Sequence, residues 1–191
     1  AEVWWRELVA AGCIARSPPV RHVIGPVESE EAVLFGPDGV PLLIMVGHRH
    51  PASQMRPGTP QGGNYSEVPT ISVVAGDLDA TRRFYGDLLG FTAAQDDETQ
   101  PEFREQVNKL VGIPAGSRVR FLLYQDPAEP SGKILLVYFG GASQRRLTRR
   151  MHPSRRGVVL YTHGCADLDA FAARARAAGA ELVASPVDAG G

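Results

Sequence analysis

The sequence predicts an α+β fold of repeated βαβββ modules whose mixed sheets curl into a half-barrel cleft. Three observations predict it. Two Asp-led amphipathic helices, each ending on a glycine, begin 90 residues apart at Asp77 and Asp167. A short β-branched run precedes each helix, and paired apolar runs joined by Gly- and Pro-rich turns follow the first.

The elements follow in order. Trp4, Trp5, Leu8 and Val9 share one helical stripe, so residues 2–11 read as a short helix stopped at Gly12. Cys13–Ile24 is extended but broken by Pro18–Pro19, and Glu31–Phe35 and Pro41–Val46 are strands joined by the turn Gly36–Gly39. Ile71–Ala75 is the next strand. Asp77 then accepts the free N–H groups of a helix whose Phe84, Tyr85, Leu88 and Leu89 form an apolar stripe. Gly90 ends that helix in the left-handed region, and Phe91–Ala94 leaves as a strand. Gln100–Val111 has helical spacing, and Arg118–Tyr124 and Lys133–Phe139 are strands around the turn-rich DPAEPSG. Val158–Thr162, a helix after Asp167 ending at Gly179, and Leu182–Ala184 repeat the opening strand, helix, strand.

These elements divide the chain into an incomplete module over 1–50, a linker over 51–69, a full module with an inserted helix over 70–141, a basic linker over 142–157, and the start of a further module over 158–191. The first and third units are incomplete, so their open sheet edges must be covered by further chain or by a second copy, and a homodimer or pairing between modules is expected. The chain begins at Ala1 inside a helix-like pattern and reads as part of a longer one.

Composition narrows the function classes. At 43% apolar the 191 residues can bury a core, and a formal net charge of −1 provides no long-range attraction for nucleic acid or anionic lipid. The longest apolar runs fall far short of the roughly 20 residues a bilayer span requires, so no membrane partner is expected. Two cysteines, Cys13 and Cys165, form no disulfide framework, and a cytoplasmic location is expected. Arg145–Arg156 holds six arginines without aromatic interleaving or a nucleic-acid-binding motif, and reads as a linker. No GxGxxG or Walker loop is present.

DLDATRRFYGDLLGF, Asp77–Phe91, resembles the first-helix motif of the vicinal oxygen chelate superfamily, the glyoxalase, bleomycin-resistance and extradiol-dioxygenase group. ADLDAFAARARAAGAELVASPV, Ala166–Val187, resembles the matching stretch of a second module. The resemblance implies metal ligands from a His in a module's first strand and a Glu or His in its last. The first position falls here on Thr70 and the second near Leu135. Neither is a donor that a divalent ion would choose, and Pro41–Val46 offers no carboxylate either, so no metal and no cofactor are expected.

The residues expected to carry chemistry are therefore cleft hydroxyls and guanidinium groups. Period-two alternation puts Ser72 beside Thr70 on one strand face, and Arg118, Arg120 and Tyr124 together on another. If those faces converge, they present donors for a carboxylate or an enolate-like oxygen. Arg120, Tyr124 and His163 are the expected catalytic residues. Thr70, Ser72, Arg118, Tyr138 and Glu102 are expected to bind substrate, with Glu102, Arg104 and Glu105 on an inserted helix able to cover the cleft. His48 and His50 stand two apart in GHRHP with no third donor nearby.

Three functions fit. The leading one is a metal-independent enzyme, an isomerase, cyclase or lyase acting on a keto or enol small molecule in the cleft. The others are a binding protein that sequesters a natural product, in antibiotic biosynthesis or resistance, and a dioxygenase whose metal ligands lie outside this chain.

Overall fold

Two four-stranded sheets form the frame of the chain in a computed structural model, which describes residues 2–49, 68, 70–126, 132–141, 161–182, 184 and 186. The first opens with helix α1, Glu2–Ala10, followed by strands β1, Ile14–Ala15, β2, Val20–Ile24, β3, Val27–Phe35, and β4, Pro41–Arg49. Pro18–Pro19 interrupts what is otherwise one strand. β1 and β2 pair antiparallel with successive stretches of the same edge of β3, and β4 pairs with its other edge. Trp5 Nε1 donates to the Ser17 carbonyl at 3.0 Å, and Ser17 Oγ accepts from Val33 N at 3.1 Å, which pins both α1 and the proline break to β3.

The second sheet holds β5, Thr70–Val74, β6, Thr92–Glu98, β7, Arg118–Gln125, and β8, Lys133–Gly140, in the order β5-β8-β7-β6. Only β5 and β8 run parallel, because helix α2, Leu78–Arg82, carries the chain across the sheet between β5 and β6. Asp77 caps α2 by accepting from the backbone N–H of Asp79 and Ala80, both at 2.9 Å, as its sequence position predicts. The helix runs on as a π-helical turn over Arg83–Leu88. Between β6 and β7, a 3₁₀ turn, Pro101–Phe103, leads into helix α3, Arg104–Val111. This is the strand, helix, strand, inserted helix, strand, strand order read from the sequence, and the fold class is the expected α+β one.

In the third unit, helix α4, Leu168–Ala177, starts on the cap Asp167, which accepts from Ala170 N at 2.8 Å. Residues 158–160 lie outside those described. Tyr161, Thr162, Leu182 and Ala184 are not in strands, as a strand needs a neighbour to take up its backbone groups. The outer edges of β4 and β5 likewise have no partner strand among the described residues.

Strand register assigns the paired side chains of the second sheet to its two faces. Val73, Ala75, Ile134, Leu136, Leu122 and Tyr124 pack beneath α2 through Leu78, Tyr85 and Phe91. On the opposite face, Val119, Phe121, Val137, Leu135 and Phe139 pack with Val107 and Ile113 and with Ile24 of the first sheet. Helix α3 thus fills the space between the sheets. Polar ties cross the junction: Arg16 donates to the carbonyls of Val111 and Gly112 at 3.1 and 3.4 Å, and Gln95 donates to the Ile24 carbonyl at 3.0 Å. At the β2–β3 turn, Gly25 has φ +54°, and a Cβ there would stand 2.2 Å from Asp97 Oδ2. Only glycine allows both that backbone and that approach.

Candidate functional site

Arg118 and Arg120 stand two residues apart on β7 and therefore share the α2 face of the sheet. Register places Glu98 of β6 and Tyr138 of β8 on either side of Arg120, and Gly140 opposite Arg118. With Leu78 at the start of α2, these residues line a cleft of ≈ 460 Å³, and Gly116 and Gly141 complete its rim. Three residues named from sequence, Arg118, Arg120 and Tyr138, thus meet in one cavity.

Each guanidinium in the cleft is held by a carboxylate of β6. Arg118 Nε and Nη2 grip the two oxygens of Glu98 at 2.8 and 2.6 Å, the parallel-fork geometry that favours arginine. Arg120 Nε donates to Asp96 Oδ1 at 2.5 Å and its Nη2 to the Asp96 carbonyl at 3.4 Å. Asp96 also accepts from Arg82 Nη2 at 2.8 Å, and Arg104 Nη2 lies 3.9 Å from Glu98. The Arg118 hydrogen bond holds the Glu98 carboxyl below its ordinary pKa against an opposing effect of burial. For Asp96, burial alone would raise the pKa, but hydrogen bonds from Arg120 and Arg82, with their charges, outweigh it and lower it. Glu98 in turn raises the pKa of Arg118.

The other expected site residues lie elsewhere. Thr70 pairs with Lys133 and Ser72 with Leu135, so both hydroxyls belong to the face opposite the arginines, and the expected convergence of the two faces does not occur. Tyr124 is on the arginine face but six residues along β7 from Arg118, about 20 Å at 3.3 Å per residue. It is buried under the helix, stacks on Tyr85 with ring centroids 5.9 Å apart, and has its pKa raised chiefly by burial. His163 is exposed and meets the edge of Phe91 at 5.2 Å, at the Tyr124 end of the sheet. Glu102 is exposed on the 3₁₀ turn, and Glu105 accepts from Gly116 N at 2.9 Å, tying α3 to the loop before β7. His48 is exposed near the end of β4, while His50 and the basic stretch Arg145–Arg156 lie outside the described residues.

Sequence reasoning missed Asp96 and Glu98. The signal was present: an acidic DDE run, Asp96–Glu98, ahead of the alternating RVR of Arg118–Arg120, is the pattern of opposite charges across neighbouring strands. A buried polar group on the first sheet also escaped notice. His22 and Ser29 face each other across β2 and β3, Ser29 Oγ donates to Glu31 Oε1 at 2.6 Å, and His22 Nε2 lies 3.1 Å from Glu31 Oε2. That last contact is a close approach without hydrogen-bond geometry.

The family model of the Glyoxalase/Bleomycin resistance protein/Dioxygenase superfamily matches residues 67–191, the second module and everything after it. The chain belongs to this superfamily. Among curated proteins none matches it. Among solved structures, glyoxalase I from Zea mays aligns at 15% identity with a TM-score of 0.44, over 75% of this chain and 40% of that one. A mutant of the same Zea mays protein aligns over the same shares at 15% identity, with a TM-score of 0.43. The superfamily member described here thus spans 40% of the length of those two chains.

The superfamily's metal positions can be tested on these residues. Thr70 and Leu135 do lie on neighbouring strands and share the face away from α2, so the geometry that would bring a first-strand and a last-strand ligand together is in place. The donors are not. A threonine hydroxyl and an isobutyl group, with the Lys133 ammonium beside Thr70, do not fit a divalent ion, which wants imidazole or carboxylate at about 2.0–2.2 Å. No group of three His, Cys, Asp or Glu residues suited to a metal occurs among the described residues.

Proposed function

We propose that this chain is a small-molecule-binding member of the superfamily, which holds its ligand in the cleft beside Arg118 and Arg120 and releases it unchanged. One observation carries this reading: the paired fork of Arg118 on Glu98 holds both groups in their charged forms. General acid–base catalysis works best with a group whose pKa lies near the working pH. Glu98 is lowered and Arg118 is raised, each by the other, so the pair is a fixed set of charges and a poor proton relay. His163, expected to do acid–base work, and Tyr124, expected to steady anionic oxygen, lie toward the far end of the sheet. Fixed charges on a rigid sheet are what orienting a ligand requires.

This favours the sequestering function over the metal-independent isomerase, cyclase or lyase. The discriminating experiment incubates the protein with a panel of keto and enol acids and aromatic natural products. Bound species are read by native mass spectrometry and total composition by liquid chromatography. Recovery of a bound compound with unaltered mass and retention supports binding. A new product that accumulates with protein and not in its absence overturns it.

A further inference from the structure

We infer that the ligand of this cleft is a compact organic acid, its carboxylate held by the outer edges of Arg118 and Arg120 and its apolar part laid against Tyr138 and Leu78. This rests on the binding reading above and names the class of molecule bound.

The arginines are positioned by their carboxylates and not exhausted by them. Arg118 spends Nε and Nη2 on Glu98, and Arg120 spends Nε and Nη2 on Asp96. Each guanidinium carries five N–H donors, so the Nη1 edge of each is left for a ligand. The arrangement is preorganised, because a guanidinium gripped through two of its nitrogens loses little further freedom when a third meets an anion. Arg118 is 68% exposed at its side chain, so its outer edge is reachable.

The contacts inside the cleft also favour an anion. The carboxylates of Asp96 and Glu98 are taken up by Arg82, Arg104, Arg118 and Arg120, and that of Glu105 at the rim meets the Gly116 N–H. A cationic ligand would have to displace an arginine from its carboxylate.

Shape sets the rest. Gly140 leaves the floor beside Arg118 without a side chain, while Leu78 and the Tyr138 ring provide the apolar wall. A Cβ at Gly140 would meet Arg118 Cβ at 3.4 Å and Tyr138 Cε1 at 3.6 Å, so a branched side chain there would occupy the ligand's place. A cavity of ≈ 460 Å³ suits one ring or a branched chain with its acid group and lies well within the range of small-molecule sites.

The test uses 4-fluorobenzoate and 4-fluorobenzamide, which share a shape and differ in charge, observed by fluorine NMR line broadening against the whole protein. Benzoate is expected to bind at least about 10-fold more tightly than benzamide, as a charge-assisted contact outweighs a neutral one. Its affinity should fall with added salt. Arg118→Gln should weaken benzoate about 10-fold and leave benzamide unchanged, and Gly140→Val should abolish both. Equal binding of the two probes would overturn the organic-acid assignment and leave the binding reading standing. No binding of either probe at tens of millimolar would overturn both. The wild-type comparison of the two probes decides the matter even where a variant folds poorly.

Discussion

The two faces of the second sheet are built from alternate residues of the same strands, yet they do different work. The face under α2 is apolar at one end, where Leu122, Tyr124, Ile134 and Leu136 are covered, and charged at the other, where Arg118 and Arg120 meet Glu98 and Asp96 at an open cleft. The opposite face is apolar over the stretch that α3 and Ile24 cover, and it carries the superfamily's ligand positions at Thr70 and Leu135. One step along a strand therefore separates a residue that meets the first module from one that lines the cleft. In this chain Arg118, Arg120, Asp96 and Glu98 sit on the helix side, away from the face that carries Thr70 and Leu135.

Cutting into the two cores gives the largest expected effects. Phe121 and Leu122 are neighbours on β7 that point to opposite faces, and both are buried. Phe121→Ala is expected to cost about 3–5 kcal/mol and Leu122→Ala about 2–5 kcal/mol, measured by urea unfolding. The comparison lies in where the damage spreads. Phe121 packs in the cluster that includes Ile24, so its loss should expose the first module to limited proteolysis before the second unfolds. Leu122→Ala should lower stability without that selective nicking. Equal nicking of both variants would show that the faces are not separate units.

The ion-pair face should reveal itself in acid. Glu98 and Asp96 both titrate lower in the folded chain than in the unfolded one. Their contribution is therefore complete above the unfolded carboxylate range, about 4, and is lost as pH falls through the lower folded values. Asp96→Asn and Glu98→Gln are expected to flatten the acid limb of a plot of melting temperature against pH. Near neutrality, Asp96→Asn should cost about 1 kcal/mol, because Asp96 and its partners Arg82 and Arg120 are each about a third exposed and solvent screens the pairs. An unchanged acid limb in both variants would remove the fixed-charge account of the cleft.

How much of this was legible beforehand depends on whether a signal was local. The caps Asp77 and Asp167 and the helix-ending Gly90 and Gly179 act within a few residues of themselves, and each is where the sequence puts it. Alternation within one strand was equally readable, so Arg118, Arg120 and Tyr124 do share a face. The phase between strands was not. Phe121–Tyr124 and Ile134–Val137 are apolar on both faces because both faces are covered, and a strand with no polar side carries no mark of which side meets the helix. Relating Thr70 to Arg120 required the parallel register of β5 on β8, whose partners such as Thr70 and Lys133 are far apart in sequence, and then the antiparallel register of β8 on β7, a combination that no short window reports.

The junction between the modules offers the finest test of the comparison. Arg16 reaches from the first module to the last carbonyls of α3, where a cation complements the helix dipole. It is held at the surface, so Arg16→Ala is expected to cost only about 0.3–1 kcal/mol. Asn108 lies on the same helix, 1% exposed, with neither amide atom hydrogen-bonded. A buried amide in that state opposes folding, and Asn108→Leu is expected to raise the melting temperature, by the equivalent of about 1 kcal/mol. The two substitutions act on one helix through opposite physical terms, a lost surface contact and a relieved buried one. Hydrogen exchange in α3 should therefore quicken in the first variant and slow in the second. A fall in melting temperature for Asn108→Leu would mean that the amide has a partner in solution, and that the space between the sheets is polar where the packing makes it dry.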